Sequence, residues 1–134
     1  MQGRKTFEDE RELRFSLSAH VPDHNFYRRL KEKLDLSFLY ELTGKYYGTC
    51  GQHSIDPVVF FKRCQVGHLE NNISARRLIE HCSLRLDLLY FLDYQVDEPL
   101  PWHSTVSRTR QLLPTALFEE VFTRVLSLCA EAGI

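Results

Sequence analysis

The stretch DPVVFFKRCQVGHL, residues 56–69, constrains the fold more than any other part of the chain. Asp56 can cap the free N–H groups of a first helical turn, and Pro57 suits the position behind it, where no N–H is needed. The helix they open is apolar on most sides. Such a helix is stable only when other elements surround it, so it belongs at the centre of the domain.

The segments around it supply the shell. Asp23 is the expected N-cap of a helix in which Tyr27, Leu30 and Leu34 share one stripe. Arg28, Arg29, Lys31 and Lys33 fill its other positions and read as a solvated face. A short helix from Ser37 to Leu42 follows and ends by Gly44. The glycine-broken GKYYGTCGQHS, residues 44–54, reads as loop. Ser74 can cap SARRLIEHC, in which Ala75, Leu78, Ile79 and Cys82 fall on one side and Arg76, Arg77, Glu80 and His81 on the other. LRLDLLYFLDY offers Leu86, Leu88, Leu89, Phe91 and Leu92 as a buried helix or a strand, and QVDEPLP breaks the chain. Pro114 starts the clearest amphipathic helix, with Phe118, Val121, Phe122, Val125, Leu128 and Cys129 at the spacing of one apolar face. Alternation of the strand type is scarce. The expectation is an all-α fold, a compact domain of about six helices over residues 21–134. Residues 1–20 are read as an arm that orders only by packing on the body.

The chain's 134 residues, 43% hydrophobic and 26% charged, suit one domain with a modest core. Seventeen Lys and Arg stand against 18 Asp and Glu, a net charge of −1. Attraction to nucleic acid or anionic lipid therefore has to come from a local patch. No apolar run is long enough to span a bilayer, and the opening MQGRKTFEDERELRFSL is charged throughout, unlike a signal peptide. Cysteines at 50, 64, 82 and 129 form no Cys-x-x-Cys pair, which fits a reducing cytosol better than a disulfide framework. Cys50-x-x-His53 and Cys64-x-x-x-His68 have zinc-like spacing, yet Cys64 lies in the apolar helix, where cysteine is commonly a small buried hydrophobe. No metal and no cofactor is expected in this chain.

Residues 99–114, PLPWHSTVSRTRQLLP, form a local patch of another kind. Two prolines and Trp102 set an extended entry, and Ser104 stands where an N-cap is expected. On a helical wheel one arc collects Thr105, Val106, Thr109, Leu112 and Leu113. The opposite arc collects Ser104, Ser107, Arg108, Arg110 and Gln111, with no carboxylate. A helix over 104–113 is roughly 15 Å long and can lie in a major groove about 12 Å wide. Arg, Gln and Ser are side chains that contact base edges and phosphates. Two readings stand: an ordinary solvated face, and a surface for DNA. Arg76 and Arg77 are a second positive spot, with the plainer alternative that Glu80 pairs with Arg76 at i,i+4.

Enzymatic readings find less support. Ser104 lacks a Gly-x-Ser-x-Gly elbow. His81 and Cys82 are adjacent on a helix and point about 100° apart. There is no glycine-rich phosphate loop. Asp23 and Asp56 read as caps, while Asp87, Asp93 and Asp97 lie near helix ends or turns, so no two carboxylates pair for metal-assisted chemistry. No catalytic residue is assigned.

A wider pattern does emerge from the sequence. Asp56-Pro57 opens a hydrophobic helix with Gly67 near its end, and Ser74-x-x-Arg77-Leu78-x-Glu80 follows. Then come Leu89-Tyr90-Phe91-Leu92 and Pro101-x-His103-Ser104-Thr105-x-Ser107-Arg108-x-Arg110. In this order and spacing the chain, from about Phe15 to Ile134, resembles the N-terminal domain of bacterial insertion-sequence transposases of the InsH-like group. The resemblance implies a helix-turn-helix-like DNA-binding domain that recognises the element's terminal inverted repeats. It also implies a following RNase H-like domain whose Asp-Asp-Glu triad holds divalent metal. None of this chain's acids matches those catalytic positions, so the chain is read as the front part of a transposase, cytoplasmic and nucleoid-associated, and not itself an enzyme. Asp93 stands where relatives often have glycine, and Thr109 where many have an aromatic. DNA contacts are expected from Ser104, Ser107, Arg108, Arg110 and Gln111, with Arg76 and Arg77 clamping phosphates beside them. The rival expectations are a helical module that dimerises or binds another protein, and an inactive fragment.

Overall fold

The computed structural model describes residues 1–47, 55–71 and 74–133. Among them are eight helices: α1 (Leu17–His20), α2 (Phe26–Lys33), α3 (Phe38–Thr43), α4 (Pro57–Leu69), α5 (Ala75–Ser83), α6 (Leu86–Leu92), α7 (His103–Leu112) and α8 (Thr115–Ala132). A 3-10 turn at Gly44–Tyr46 follows α3. No strand occurs among the described residues, so the fold is all-α, and the segment from Leu86 takes the helical alternative. α1, the one helix on no segment expected to be helical, is a single turn inside the expected arm. Residues 1–16 before it carry no helix and are exposed.

α4 starts as its first residues dictate. The Asp56 carboxylate accepts from the N–H groups of Val58 and Val59 at 2.8 and 3.4 Å, with Pro57 in the first turn. Phe60, Phe61 and Val66 are buried, and so are Lys62 and Arg63. A buried cation is costly unless it is partnered. Lys62 Nζ donates to the Phe91 carbonyl at 2.9 Å and lies 3.6 Å from Asp93, which ties α4 to the C-terminal end of α6.

The centre is shared, however. α6 buries Leu88, Leu89, Phe91 and Leu92 and packs against α1, α2, α4 and α5. It stops on Asp93 at φ 64° and ψ 38°, the left-handed conformation that glycine adopts most easily. That geometry explains why glycine suits this position. Lys31 reaches the same end, donating to the Tyr90 carbonyl at 2.7 Å and to Asp93 at 2.6 Å. The α2 stripe of Tyr27, Leu30 and Leu34 is buried as its spacing predicts.

Four local expectations are corrected. Asn25, not Asp23, caps α2: its Oδ1 accepts from the Tyr27 and Arg28 N–H groups, because a turn closed from Asn25 N–H to the Pro22 carbonyl delays the helix. Asp23 instead pairs with Arg28 at 3.5 Å. Trp102, not Ser104, stands at the N-cap of α7, since its extended backbone already supplies the carbonyl for Val106 N–H at 3.1 Å. Phe122 is 53% exposed and lies off the buried face of α8, which is led by Leu117 and Val121. Leu112 is likewise exposed, although the wheel puts it on the inward arc of α7.

Candidate nucleic-acid interface

α7 is fixed to the body by a narrow inner face. Val106, Thr109 and, just past the helix, Leu113 are buried. Thr109 avoids an unsatisfied hydroxyl by donating from Oγ1 to the Thr105 carbonyl at 3.0 Å. Ser104, Ser107, Arg108, Arg110 and Gln111 are all exposed. The amphipathic split of the sequence is therefore real at this helix, apart from Leu112.

α5 packs against α7. Ser74 caps it, accepting from the Arg77 N–H at 3.4 Å, and Leu78 and Cys82 are buried while Arg76 and Arg77 are exposed. The contact found for Arg76 is not the i,i+4 pair with Glu80. Its Nη2 lies 3.5 Å from Nε2 of His103, in the first turn of α7. The structure thus brings Arg76 to the N-terminal end of the α7 arc.

The two arginines of α7 differ. Arg108 stays on its own helix, with Nη2 3.4 Å from Thr105 Oγ1. Arg110 turns back toward α4 and α8: Nη2 lies 3.7 Å from Cys64 Sγ, and the guanidinium carbon lies 5.9 Å from the centre of the Phe118 ring. Burial pushes the Cys64 thiol up, against the pull of Arg110 and Arg63. It therefore sits beside these cations as a neutral thiol.

Behind α5 lies a polar cluster that is barely legible in the sequence. Glu70, at the end of α4, accepts from the Tyr27 hydroxyl at 2.9 Å and from Arg85 Nη1 at 2.7 Å, and its Oε1 lies 2.7 Å from His81 Nε2. Arg85 also grips Asp87 through Nε and Nη2 at 2.9 and 2.8 Å, and Asn25 donates to the same carboxylate at 3.1 Å. The hydrogen bond from His81, helped by Tyr27 and Arg85, holds Glu70 below its ordinary range. Burial pushes Asp87 up, but Arg85 and Asn25 outweigh it and leave it lowered. These residues join α2, α4, α5 and α6, and so set the direction in which α5 presents Arg76 and Arg77. The close spacing of His81, Arg85 and Asp87 hints at the cluster; Asn25 and Tyr27 come from far along the chain.

The remaining candidates separate. His81 turns to Glu70, whereas Cys82 is buried and its thiol is pushed up to about 11 by that burial. Cys64 faces Arg110, and the His68 ring meets Phe122 edge-on at 6.2 Å. The pair Cys50 and His53 lies outside the described residues. Among the described residues, no three His, Cys, Asp or Glu side chains converge as metal ligands would, and no helix is long and apolar enough to cross a membrane.

With this geometry in view, comparison with known families matches residues 15–112 to the transposase domain family DUF772. No curated protein and no solved structure matches the chain.

Proposed function

The chain belongs to the transposase domain family DUF772, and from that premise we propose that it binds DNA, recognising the terminal inverted repeats of an insertion element. α7 is the reading helix of this helix-turn-helix-like arrangement, and α5 lies beside it. The observation that carries the reading is the outer arc of α7: five exposed polar or cationic side chains on a helix flanked by sequence that holds no carboxylate from Pro99 to Phe118. Arg108 and Gln111 suit base edges, while Ser104, Ser107, Arg110, Arg76 and Arg77 suit phosphates. On this reading, metal-dependent strand chemistry belongs to a separate Asp-Asp-Glu domain, and the chain acts at the nucleoid in the bacterial cytoplasm.

The test is fluorescence anisotropy with duplexes carrying the terminal repeats of the encoding element, against scrambled duplexes. Binding is expected at low salt, with a preference for the repeats, and Arg108→Ala combined with Arg110→Ala should weaken it at least about tenfold. Absence of binding at low salt, or an unchanged affinity in the double variant, refutes the recognition-helix reading.

One observation favours a second role. Phe122 and Leu126 of α8 are 53% and 56% exposed and stand four residues apart, a spacing that puts them on one helix face. A homodimer joined through this face would present two copies of α7. Sedimentation over a concentration series tests it, and a monomer at the highest concentration excludes it.

A further inference from the structure

A cleft of about 370 Å³ opens between α4, α5 and α7. Arg63 of α4 and Arg110 of α7 line it, together with His68, Asn71, Ser74 and Ser107. The other described lining residues are Cys64, Gly67, Leu78 and Val106, and none of the described lining residues is a carboxylate. Two guanidinium groups therefore share a concave, partly enclosed space with two hydroxyls, an amide and an imidazole. Burial disfavours the charged Arg63, while its neighbours Cys64 and Cys82 favour it and Arg110 disfavours it less strongly. The cleft also receives the N-terminal end of α5 through Ser74, whose neighbouring N–H groups favour negative charge.

We infer that this cleft is a seat for one phosphate group, gripped by Arg110 with Ser107 and Ser74 as hydroxyl donors and with the positive charge of Arg63 in its wall. Guanidinium forks match tetrahedral oxyanions through paired N–H donors, which is why arginine is favoured for phosphate. At roughly 30 Å³ per water, the space holds about a dozen waters, enough for a phosphate and the sugar oxygens beside it. The turn of Arg110 toward α4, away from the outer arc, then has a purpose: it aims the charge into the cleft. Two sources can fill the seat. A phosphodiester of the DNA backbone is the one favoured by α7, and this choice rests on the DNA-binding reading above. The other source is a free phosphate.

The experiment is an amide-resolved NMR titration of the whole chain with inorganic phosphate, at an ionic strength held constant with chloride. Saturable shifts are expected at the amides of Gly67, Ser74 and Ser107. They should disappear in Arg110→Gln, which changes an exposed side chain, and persist in Arg29→Gln, which removes a charge on α2 away from the cleft. A second arm measures duplex binding in phosphate and in chloride of equal ionic strength. Competition by phosphate, together with about tenfold weaker duplex binding in Arg110→Gln, assigns the seat to the DNA backbone. Saturable shifts without competition support the seat and give its source as a free anion. If no duplex binds while the phosphate shifts remain, the seat stands and the DNA-binding reading falls. The inference is overturned if phosphate gives no saturable shift, or if Arg110→Gln leaves the shifts intact.

Discussion

Asp93 combines a backbone task with an electrostatic one. At φ 64° it occupies a region where a side chain beyond glycine costs about 1 kcal/mol or more. In return its carboxylate faces Lys31 at 2.6 Å and the buried Lys62 at 3.6 Å. Asp93→Ala keeps the backbone cost and loses both charge partners, so it should destabilise by about 2 kcal/mol. Asp93→Gly relieves the backbone and should lose only about 1 kcal/mol. Urea midpoints measure both, and equal values would remove the conformational part of the argument. Glu70 makes the corresponding case for pH. Its folded value is lowered from the ordinary 4.5, mainly by His81. A lowered carboxylate gives stability that is full above the unfolded value and is lost as pH falls through the folded one. The acid limb should therefore lie below about pH 4.5, reinforced by the lowered Asp87. Urea unfolding over a pH series should show a shallower acid limb in Glu70→Gln, along with lower stability at neutral pH. An unchanged limb would mean that the cluster does not couple to folding.

At the scale of elements, α4 and α8 show how far periodicity reaches. Most of α4 is enclosed before its exposed last residues, with Phe60 fully buried and its ring 5.3 Å from Phe61 and 6.0 Å from Phe118. Phe60→Ala should cost about 3–5 kcal/mol by loss of transfer energy and creation of a cavity. On α8 the wheel marks a broad arc, but the body covers only part of it. Phe122 follows the buried Val121 and so points about 100° away, at the edge of the arc. Phe122→Ser should change stability by no more than about 0.5 kcal/mol. Thermal or urea unfolding of the two variants checks the contrast, and a large loss in Phe122→Ser would return that ring to the core. α7 was legible for the same reason that α8 was only partly so. Its inner face is narrow enough that Val106 and Thr109 lie on it under any small rotation, while Leu112 sits at the margin and stays exposed.

For the whole molecule, electrostatics sets a scale. A net charge of −1 supplies no general attraction to DNA. The proposed surface offers four arginines, at 76, 77, 108 and 110. At about 0.9 counterions released per neutralised phosphate, the slope of log K against log salt should be no steeper than about −4. Anisotropy over a salt series measures it. A markedly steeper slope would bring in cations elsewhere, with the basic positions of α2 as the first to examine. Arg28 and Lys31 there are already engaged: Arg28 lies 3.5 Å from both Asp23 and Glu32, and Lys31 pairs with Asp93. Both also stack on the Tyr90 ring, at 5.1 and 4.0 Å. The face that reads as merely solvated in the sequence therefore holds α2 to α6.

The sequence by itself determined the helical class, the start of α4, the buried stripe of α2 and the two-sided character of α5 and α7. All of these follow from interactions within four residues along the chain, such as a carboxylate meeting the next N–H groups or apolar side chains recurring at helical spacing. It also carried the match to the transposase domain family over residues 15–112. Tertiary structure alone decided which edge of each apolar arc is covered, that α6 shares the centre with α4, and that Glu70, Arg85, Asp87 and Asn25 meet. It decided too that Arg76 reaches His103 while Arg110 turns toward Cys64. These are contacts between residues far apart in the chain, and their partners are selected by how the helices pack, a choice that local spacing does not encode.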